Sequence, residues 1–144
     1  DYNMAIEFFN KALNIRLETL GPKHPAVITS YNNLGLAYNT KGETNKAIEF
    51  FNKDLAISLE TLGPKHLSVA TSYNNLGLAY DAKGETNKAI EHHTKALKIK
   101  IETLGAGHLS VATSYNRAMR PQWPCWHLSP CNWPRHFSCL PQPC

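Results

Sequence analysis

The chain has 144 residues, of which 42% are hydrophobic and 18% are charged, a composition typical of a soluble globular protein. The formal charge is +4, but residues 1–116 hold 12 Lys and Arg against 11 Asp and Glu, so this part is nearly neutral. Near neutrality argues against a nucleic-acid binder, and no apolar run is long enough for a signal peptide or a membrane span. We therefore expect a soluble, cytoplasmic protein.

A decapeptide that returns after 42 residues organises the sequence. It reads Thr-Ser-Tyr-Asn-Asn-Leu-Gly-Leu-Ala-Tyr at residues 29–38 and 71–80, and its first four residues return at 113–116. A period of this length holds two helices and two short connections, and such a unit buries its apolar face only by stacking on its neighbours. Because the chain begins at Asp1 in the middle of a repeat, we expect it to be a fragment of a longer protein.

Six helices are predicted from the spacing of the apolar residues, and glycine or proline marks where they stop. In chain order they cover about residues 3–20, 25–41, 43–62, 67–83 and 85–104, and a last helix starts near residue 109 and ends before Pro121. Short connections make consecutive helices antiparallel neighbours. We therefore predict an all-α solenoid of antiparallel helix pairs over residues 1–117, made of a half repeat, two full repeats and the start of another.

Some residues depart from the repeat or carry groups that could bind metals. Asp54 stands where Ala12 and Ala96 mark a small, packed position, which predicts a strained carboxylate. His92-His93 replaces Phe50-Phe51, and we favour a loss of packing demand in the last unit over the alternative of a pH sensor. The equivalent histidines His24, His66 and His108 are a whole repeat apart, so they are predicted at helix starts and not around one metal ion.

The leucine, glycine and aromatic positions carry a resemblance to a known family. Leu34-Gly35 followed by Tyr38, then by Ala47 and Phe51, resembles the tetratricopeptide repeat. The 42-residue period, with Leu-Gly-Pro-Lys-His between units and Asn-Asn-Leu in the first helix of a pair, is similar to the repeats of kinesin light chains. The resemblance implies a right-handed superhelix whose concave wall, made by the first helix of each pair, holds a partner's peptide.

Ten residues on that wall are predicted to contact the ligand. They are Thr29, Asn32, Asn33, Leu36 and Asn39 from one first helix, and Thr71, Asn74, Asn75, Leu78 and Asp81 from the next. An asparagine offers both a donor and an acceptor to an extended peptide backbone. We favour Asn33 and Asn75 as contacts, and the alternative is that the asparagine pairs brace adjacent helices. Because Asn32 and Asn74 stand where some relatives carry a lysine, a clamp for a peptide's terminal carboxylate is not expected.

The function predicted first is a protein–protein interaction scaffold, and the alternative is a regulatory or sensor segment of a larger ATPase-type signalling protein. The sequence shows no Gly-rich phosphate loop, no paired catalytic carboxylates and no nucleophile with a base partner, so neither an enzyme nor a cofactor is expected.

Residues 118–144 differ abruptly from the repeats and are predicted to be a disordered tail, and the sequence leaves open whether this tail is the native continuation of the repeats. Candidate zinc ligands there are Cys125, Cys131, Cys139, Cys144, His127 and His136. The cysteines are separated by five, seven and four residues, which does not match the close pairs of structural zinc sites. We therefore expect no metal site in the tail.

Overall fold

The computed structural model describes residues 2–119. It contains six helices: α1 (Tyr2–Leu20), α2 (Pro25–Lys41), α3 (Thr44–Leu62), α4 (Leu67–Lys83), α5 (Thr86–Leu104) and α6 (Leu109–Met119). No strand occurs within these residues, and the predicted all-α solenoid of helix pairs is confirmed. Helix α6 continues two residues beyond the predicted boundary at 117. The tail from residue 120, with its predicted disorder and its cysteines, lies outside the described residues.

The first helices of the pairs, α2, α4 and α6, begin at a histidine cap. The Nδ1 atoms of His24, His66 and His108 accept hydrogen bonds from the backbone N–H two residues later, at 3.2, 3.1 and 3.2 Å. Each bond satisfies one of the N–H groups that have no partner inside the helix. The histidine that recurs in every repeat is therefore a structural residue at a helix start, as its position in the sequence predicts.

Helices α2 and α3 form one hairpin and α4 and α5 form the next, and each second helix also packs on the following first helix. The connection inside each hairpin is short because Gly42 and Gly84 take up left-handed backbone, with φ of 87° and 82°. Their N–H groups bond to carbonyls of the preceding helix turn, which closes the helix end. The two hairpins are therefore turned back at the same place in the repeat.

The core of each hairpin is built around a close approach of two helices. Gly35 of α2 faces the ring of Phe51 so closely that an added Cβ atom would overlap it, and Gly77 of α4 faces His93 in the same way. A glycine in a helix interior costs about 1 kcal/mol relative to alanine, and here it makes room for a buried ring. Gly35 and Gly77 therefore have a packing role in their hairpins.

The histidine pair of α5 is as well packed as the phenylalanines of α3. His93 is 2% exposed and Phe51 is 1% exposed, so the two rings are equally buried. The expectation that this slot accepts a histidine because the last unit has little to pack against is wrong for His93. Helix α4, with Gly77 directly over the ring, provides the packing that the prediction left out.

The apolar core lies between the first and the second helices, in clusters to which both contribute. Val27, Leu34, Val69, Leu76 and Val111 are completely buried. Helix α2 also contacts α4 directly, so the two first helices lie side by side on one wall of the array. None of the described helices is both long enough and apolar enough to cross a membrane.

Candidate functional site

The candidate site is the wall formed by α2 and α4, where all ten predicted contact residues lie. Leu36 and Leu78 occupy equivalent places on the two helices and are 43% and 36% exposed. Thr29, Thr71 and Asp81 are exposed; Asn32, Asn33 and Asn39 are half-buried; Asn74 and Asn75 are buried. The surface of the wall therefore consists of two leucines among polar side chains, and two of its asparagines, Asn74 and Asn75, are buried.

Two hydrogen bonds show that asparagines hold neighbouring first helices together. Asn75 Nδ2 of α4 donates to Asn32 Oδ1 of α2 at 2.7 Å. One period later, Arg117 Nη1 of α6 donates to Asn74 Oδ1 of α4 at 2.8 Å. The side chains of Asn32 and Asn74 thus accept, and those of Asn75 and Arg117 donate. We call these two bonds, which connect α2 to α4 and α4 to α6, the ladder.

This ladder bears on the predicted ligand contacts. Asn32, Asn74 and Asn75 each form a hydrogen bond with the adjacent first helix. For these three residues the structure agrees with the alternative that the asparagines brace adjacent helices. Asn75 was favoured as a ligand contact, yet it is only 8% exposed and its amide already donates to Asn32. Contact of these three side chains with a ligand stays a prediction, and burial makes Asn75 less accessible than its sequence twin Asn33.

Asn33 and Asn39 differ from the bracing asparagines because their amides keep hydrogen-bonding capacity. Among residues 2–119, none forms a hydrogen bond with the side chain of Asn33. The Oδ1 atom of Asn39 is buried and has no partner in the same range. An amide side chain offers two donors and an oxygen acceptor, and buried polar atoms are normally paired. The half-buried Asn33 therefore suits contact with a peptide backbone, whereas the Oδ1 atom of Asn39 is not accessible to a ligand.

Asp81 extends the polar wall at the far end of α4. Its Oδ2 atom lies 3.4 Å from Nε2 of His93, which is otherwise enclosed between α4 and α5. Burial lowers the pKa of His93 below its usual 6.5, and the nearby Asp81 opposes this shift only in part. The imidazole is therefore neutral at pH 7, and it does not neutralise the charge that Asp81 presents.

A cavity of about 160 Å³ opens on the wall and leads inward to Asp54 of α3. Thr29, Asn32 and Thr71 line it, so it joins three predicted contact residues to a carboxylate that is 2% exposed. Burial raises the pKa of Asp54 to about 6, against the opposing hydrogen bonds of Ser72 and Ser58. The sequence marked Asp54 as strained, but it did not indicate that the carboxylate lies beside the wall.

The Asp54 cavity could have been found from the sequence by one further comparison. The residue one helical turn after Asp54 also changes chemistry between the three copies of the second helix. It is Arg16 in α1, Ser58 in α3 and Lys100 in α5. One copy of the second helix thus lacks the basic residue and carries a carboxylate one turn earlier. This double difference indicates that the chemistry around Asp54 is special.

Comparison with known protein families identifies the fold family of the repeats. The tetratricopeptide repeat family matches residues 1–59 and 55–102, which is more than half of the chain. The chain belongs to the tetratricopeptide repeat family. Comparison with curated protein sequences gives no match.

Solved structures agree with this assignment. The nearly identical TPR-like repeats of a Podosopora anserina protein, assigned as a kinesin light chain, superpose with a TM-score of 0.75 at 29% identity, over 83% of this chain and 56% of that one. BtubC (BKLC) from P. vanneervenii superposes with a TM-score of 0.68 at 22% identity, over 98% of this chain and 63% of that one. The chain thus spans little more than half the length of the first of these structures, and the predicted likeness to kinesin light chain repeats is confirmed.

Proposed function

We propose that this tetratricopeptide repeat chain is a non-catalytic scaffold whose α2–α4 wall holds an extended segment of a partner protein. Tetratricopeptide repeats are in general protein-interaction modules. One observation carries the proposal: Leu36 and Leu78 are exposed at equivalent places on α2 and α4, and each follows an exposed threonine, Thr29 or Thr71, by two helical turns. Such a face offers hydrogen bonds to a peptide backbone and an apolar contact to one of its side chains.

The charges of the wall set the kind of partner and the strength of binding. Residues 1–116 are nearly neutral, so a polyanion such as nucleic acid gains little from them. Two complete first helices give a short wall, and we expect an affinity in the micromolar range, or roughly 8 kcal/mol. The same neutrality predicts that binding depends only weakly on salt, because long-range charge attraction contributes little.

The test compares peptide binding by wild type with that of a wall variant, Asn33→Ala combined with Leu36→Ser and Leu78→Ser. A displayed library of random peptides supplies the ligands, and affinities are measured by fluorescence anisotropy. We expect the wall variant to lose about tenfold or more in affinity, which is about 1.4 kcal/mol. Asn75 is left unchanged because its loss would break the bond to Asn32 and disturb the fold.

The matched control changes the solvent face of α3. Glu49 and Lys53 form an exposed i, i+4 ion pair at 2.7 Å, and solvent screens such a pair so strongly that it contributes little to stability. The Glu49→Gln, Lys53→Gln variant should bind the same peptides as wild type does. The proposal fails if peptides bind the wall variant undiminished while its melting curve matches that of wild type, or if they lose affinity for the control variant instead.

A further inference from the structure

The three second helices differ at one repeated position that faces the next first helix. In α1, Arg16 Nη1 donates to Ser30 Oγ of α2 at 2.5 Å. In α5, Lys100 Nζ donates to Ser114 Oγ of α6 at 2.9 Å. In α3 the equivalent residue is Ser58, which is too short and carries no charge. The first and last junctions therefore contain a cation from within the chain, and the middle junction does not.

The middle junction has gained a carboxylate where it lost the cation. Asp54 lies one helical turn before Ser58 and replaces the alanine found at Ala12 and Ala96. It is 2% exposed, and its partners are the hydroxyls of Ser72 and Ser58, of which Ser58 Oγ donates to Oδ1 over a long 3.4 Å. A buried carboxylate without a cation is unfavourable, because burial removes its hydration and a hydroxyl replaces only part of it.

The cavity occupies the place that the missing cation would fill. It is lined by Ser68 and Ser72 of α4, which stand one period after Ala26 and Ser30. These last two residues are the ones that the Arg16 guanidinium contacts in the first junction. The volume of about 160 Å³ is several times the roughly 30 Å³ of a water molecule in the liquid.

We propose that this cavity is a specificity pocket for the arginine or lysine side chain of a bound peptide, which enters the place that Arg16 and Lys100 fill from within the chain. The proposal rests on the proposed function, because it needs a peptide on the α2–α4 wall. The pocket opens among Thr29, Asn32 and Thr71, which belong to that wall. A peptide that lies on the wall can therefore place one side chain in the pocket while its backbone stays on the wall.

The chemistry of the lining selects a cation over other side chains. Guanidinium and ammonium groups carry only donors, and the pocket offers the carboxylate of Asp54 with the hydroxyl of Ser72 and the side-chain oxygen of Asn32. Among residues 2–119, Asp54 is the only titratable group that lines the pocket, and the lining residues from α2 and α4 are neutral. An acidic side chain would face an unscreened carboxylate, and an apolar one would leave that carboxylate buried and unpaired.

The pH dependence of binding follows from the same carboxylate. Burial raises the pKa of Asp54 to about 6, so most of it is ionised at pH 7. A cation binds the ionised form, and protonation removes its partner. We therefore expect the preference for arginine and lysine to weaken as the pH falls through about 6, while binding through the rest of the wall continues.

The experiment uses the full chain and two kinds of probe. The first is N-acetyl-arginine amide, titrated against the side-chain amide signals of Asn32 and Asn75 in NMR spectra, with N-acetyl-citrulline amide as the neutral probe of the same shape. The second is the displayed library of random peptides. We expect a saturable shift with the arginine probe only, and selected peptides that carry arginine or lysine at one fixed position and lose about tenfold in affinity when it is replaced by citrulline or glutamine.

Three variants locate the effect. Asp54→Ala restores the residue of the other two copies, and Ser58→Arg supplies the cation from within, as Arg16 does in α1. Both should abolish the arginine shift and the basic preference, and Ser58→Arg should also raise the melting temperature. Glu49→Gln removes a carboxylate from the exposed face of the same helix and should retain both effects.

The outcomes separate this proposal from the proposed function. Peptides that need Leu36 and Leu78 for binding, but show no basic preference and bind Asp54→Ala equally well, would overturn the pocket and leave the scaffold function standing. Arginine binding that needs Asp54, in a chain that captures no peptide on the wall, would show a cation site in the cavity but overturn both the scaffold function and the role of the cavity as a peptide-specificity pocket. An arginine shift that persists in Asp54→Ala, or is absent in wild type, would overturn the pocket.

Discussion

The hairpins α2–α3 and α4–α5 have the same backbone plan but different chemistry in their aromatic slots. In the first hairpin, Phe50 stacks on Tyr38 with ring centres 5.3 Å apart and planes 5° apart. In the second, His92 stacks on Tyr80 at 5.2 Å and 3°. The position of the ring is therefore set by the tyrosine of the first helix, and either ring type fits there.

The deeper slot shows where the two hairpins are not equivalent. Phe51 fills the space under Gly35 with apolar atoms alone. His93 fills the same space under Gly77, but its Nδ1 atom is buried without a partner among residues 2–119. A buried polar atom that lacks a hydrogen bond costs about 1–3 kcal/mol. The same shape of slot therefore accepts either ring, and we expect the polarity of the ring to set how much it stabilises its repeat.

The largest difference should appear when the buried ring is removed. Phe51→Ala is expected to lower the free energy of unfolding by about 3–5 kcal/mol, because it leaves a large apolar cavity. His93→Ala should cost clearly less, since the loss of packing is offset by the removal of an unpaired nitrogen. Denaturant unfolding followed by circular dichroism measures both values. Equal losses in the two variants would mean that the slots are energetically equivalent.

The sequence predicts the frame of this comparison but not its polar details. Glycine, proline and the 42-residue period place α2 (Pro25–Lys41) and α4 (Leu67–Lys83) with the same bounds as the structure, because these signals act within a few residues of where they stand. Asn33 and Asn75 are identical in sequence context, yet only Asn75 has an acceptor from a described first helix beside it. Such pairings depend on how separate helices stack, so one repeat cannot reveal them.

Exchanging the ring types should make the second hairpin more like the first. His93→Phe is expected to raise the free energy of unfolding by about 1–3 kcal/mol, because the slot accepts this ring in α3 and the unpaired nitrogen disappears. The contact to Asp81 is also lost, but it is long and Asp81 remains partly in solvent. Comparison of the denaturation midpoints of His93→Phe and wild type measures the gain. A lower midpoint would show that the bond to Asp81 outweighs the unpaired atom.

A smaller gain is expected from Asp54, a buried polar residue of the first hairpin. Asp54→Ala should raise the free energy of unfolding by about 1 kcal/mol, the scale of a poorly paired buried polar group in mutational data. Ala12 and Ala96 show that alanine fits this position. Thermal melts of the two proteins without any peptide decide the point. An unchanged or lowered midpoint would mean that the serines around Asp54 already satisfy its carboxylate.

Acidification from pH 7 to pH 5 should change the free energy of unfolding of the wild type least, because buried groups in the two hairpins contribute with opposite sign. Asp54 has a folded-state pKa of about 6, raised by burial from 3.8, so the folded chain binds its proton first and stability increases as the pH falls through 6. Burial lowers the pKa values of His92 and His93 below 6.5. The unfolded chain then binds those protons first, and stability is lost as the pH falls below 6.5.

Two variants separate these contributions. In Asp54→Ala only the contribution of His92 and His93 remains, so its free energy of unfolding should fall between pH 7 and pH 5. The His92→Phe, His93→Phe double variant keeps only Asp54 and should gain about 1 kcal/mol over the same interval, since one pKa unit corresponds to about 1.4 kcal/mol. Urea unfolding at pH 7, 6 and 5 measures the slopes. Parallel slopes in all three proteins would show that Asp54, His92 and His93 have the same pKa values in the folded and the unfolded chain.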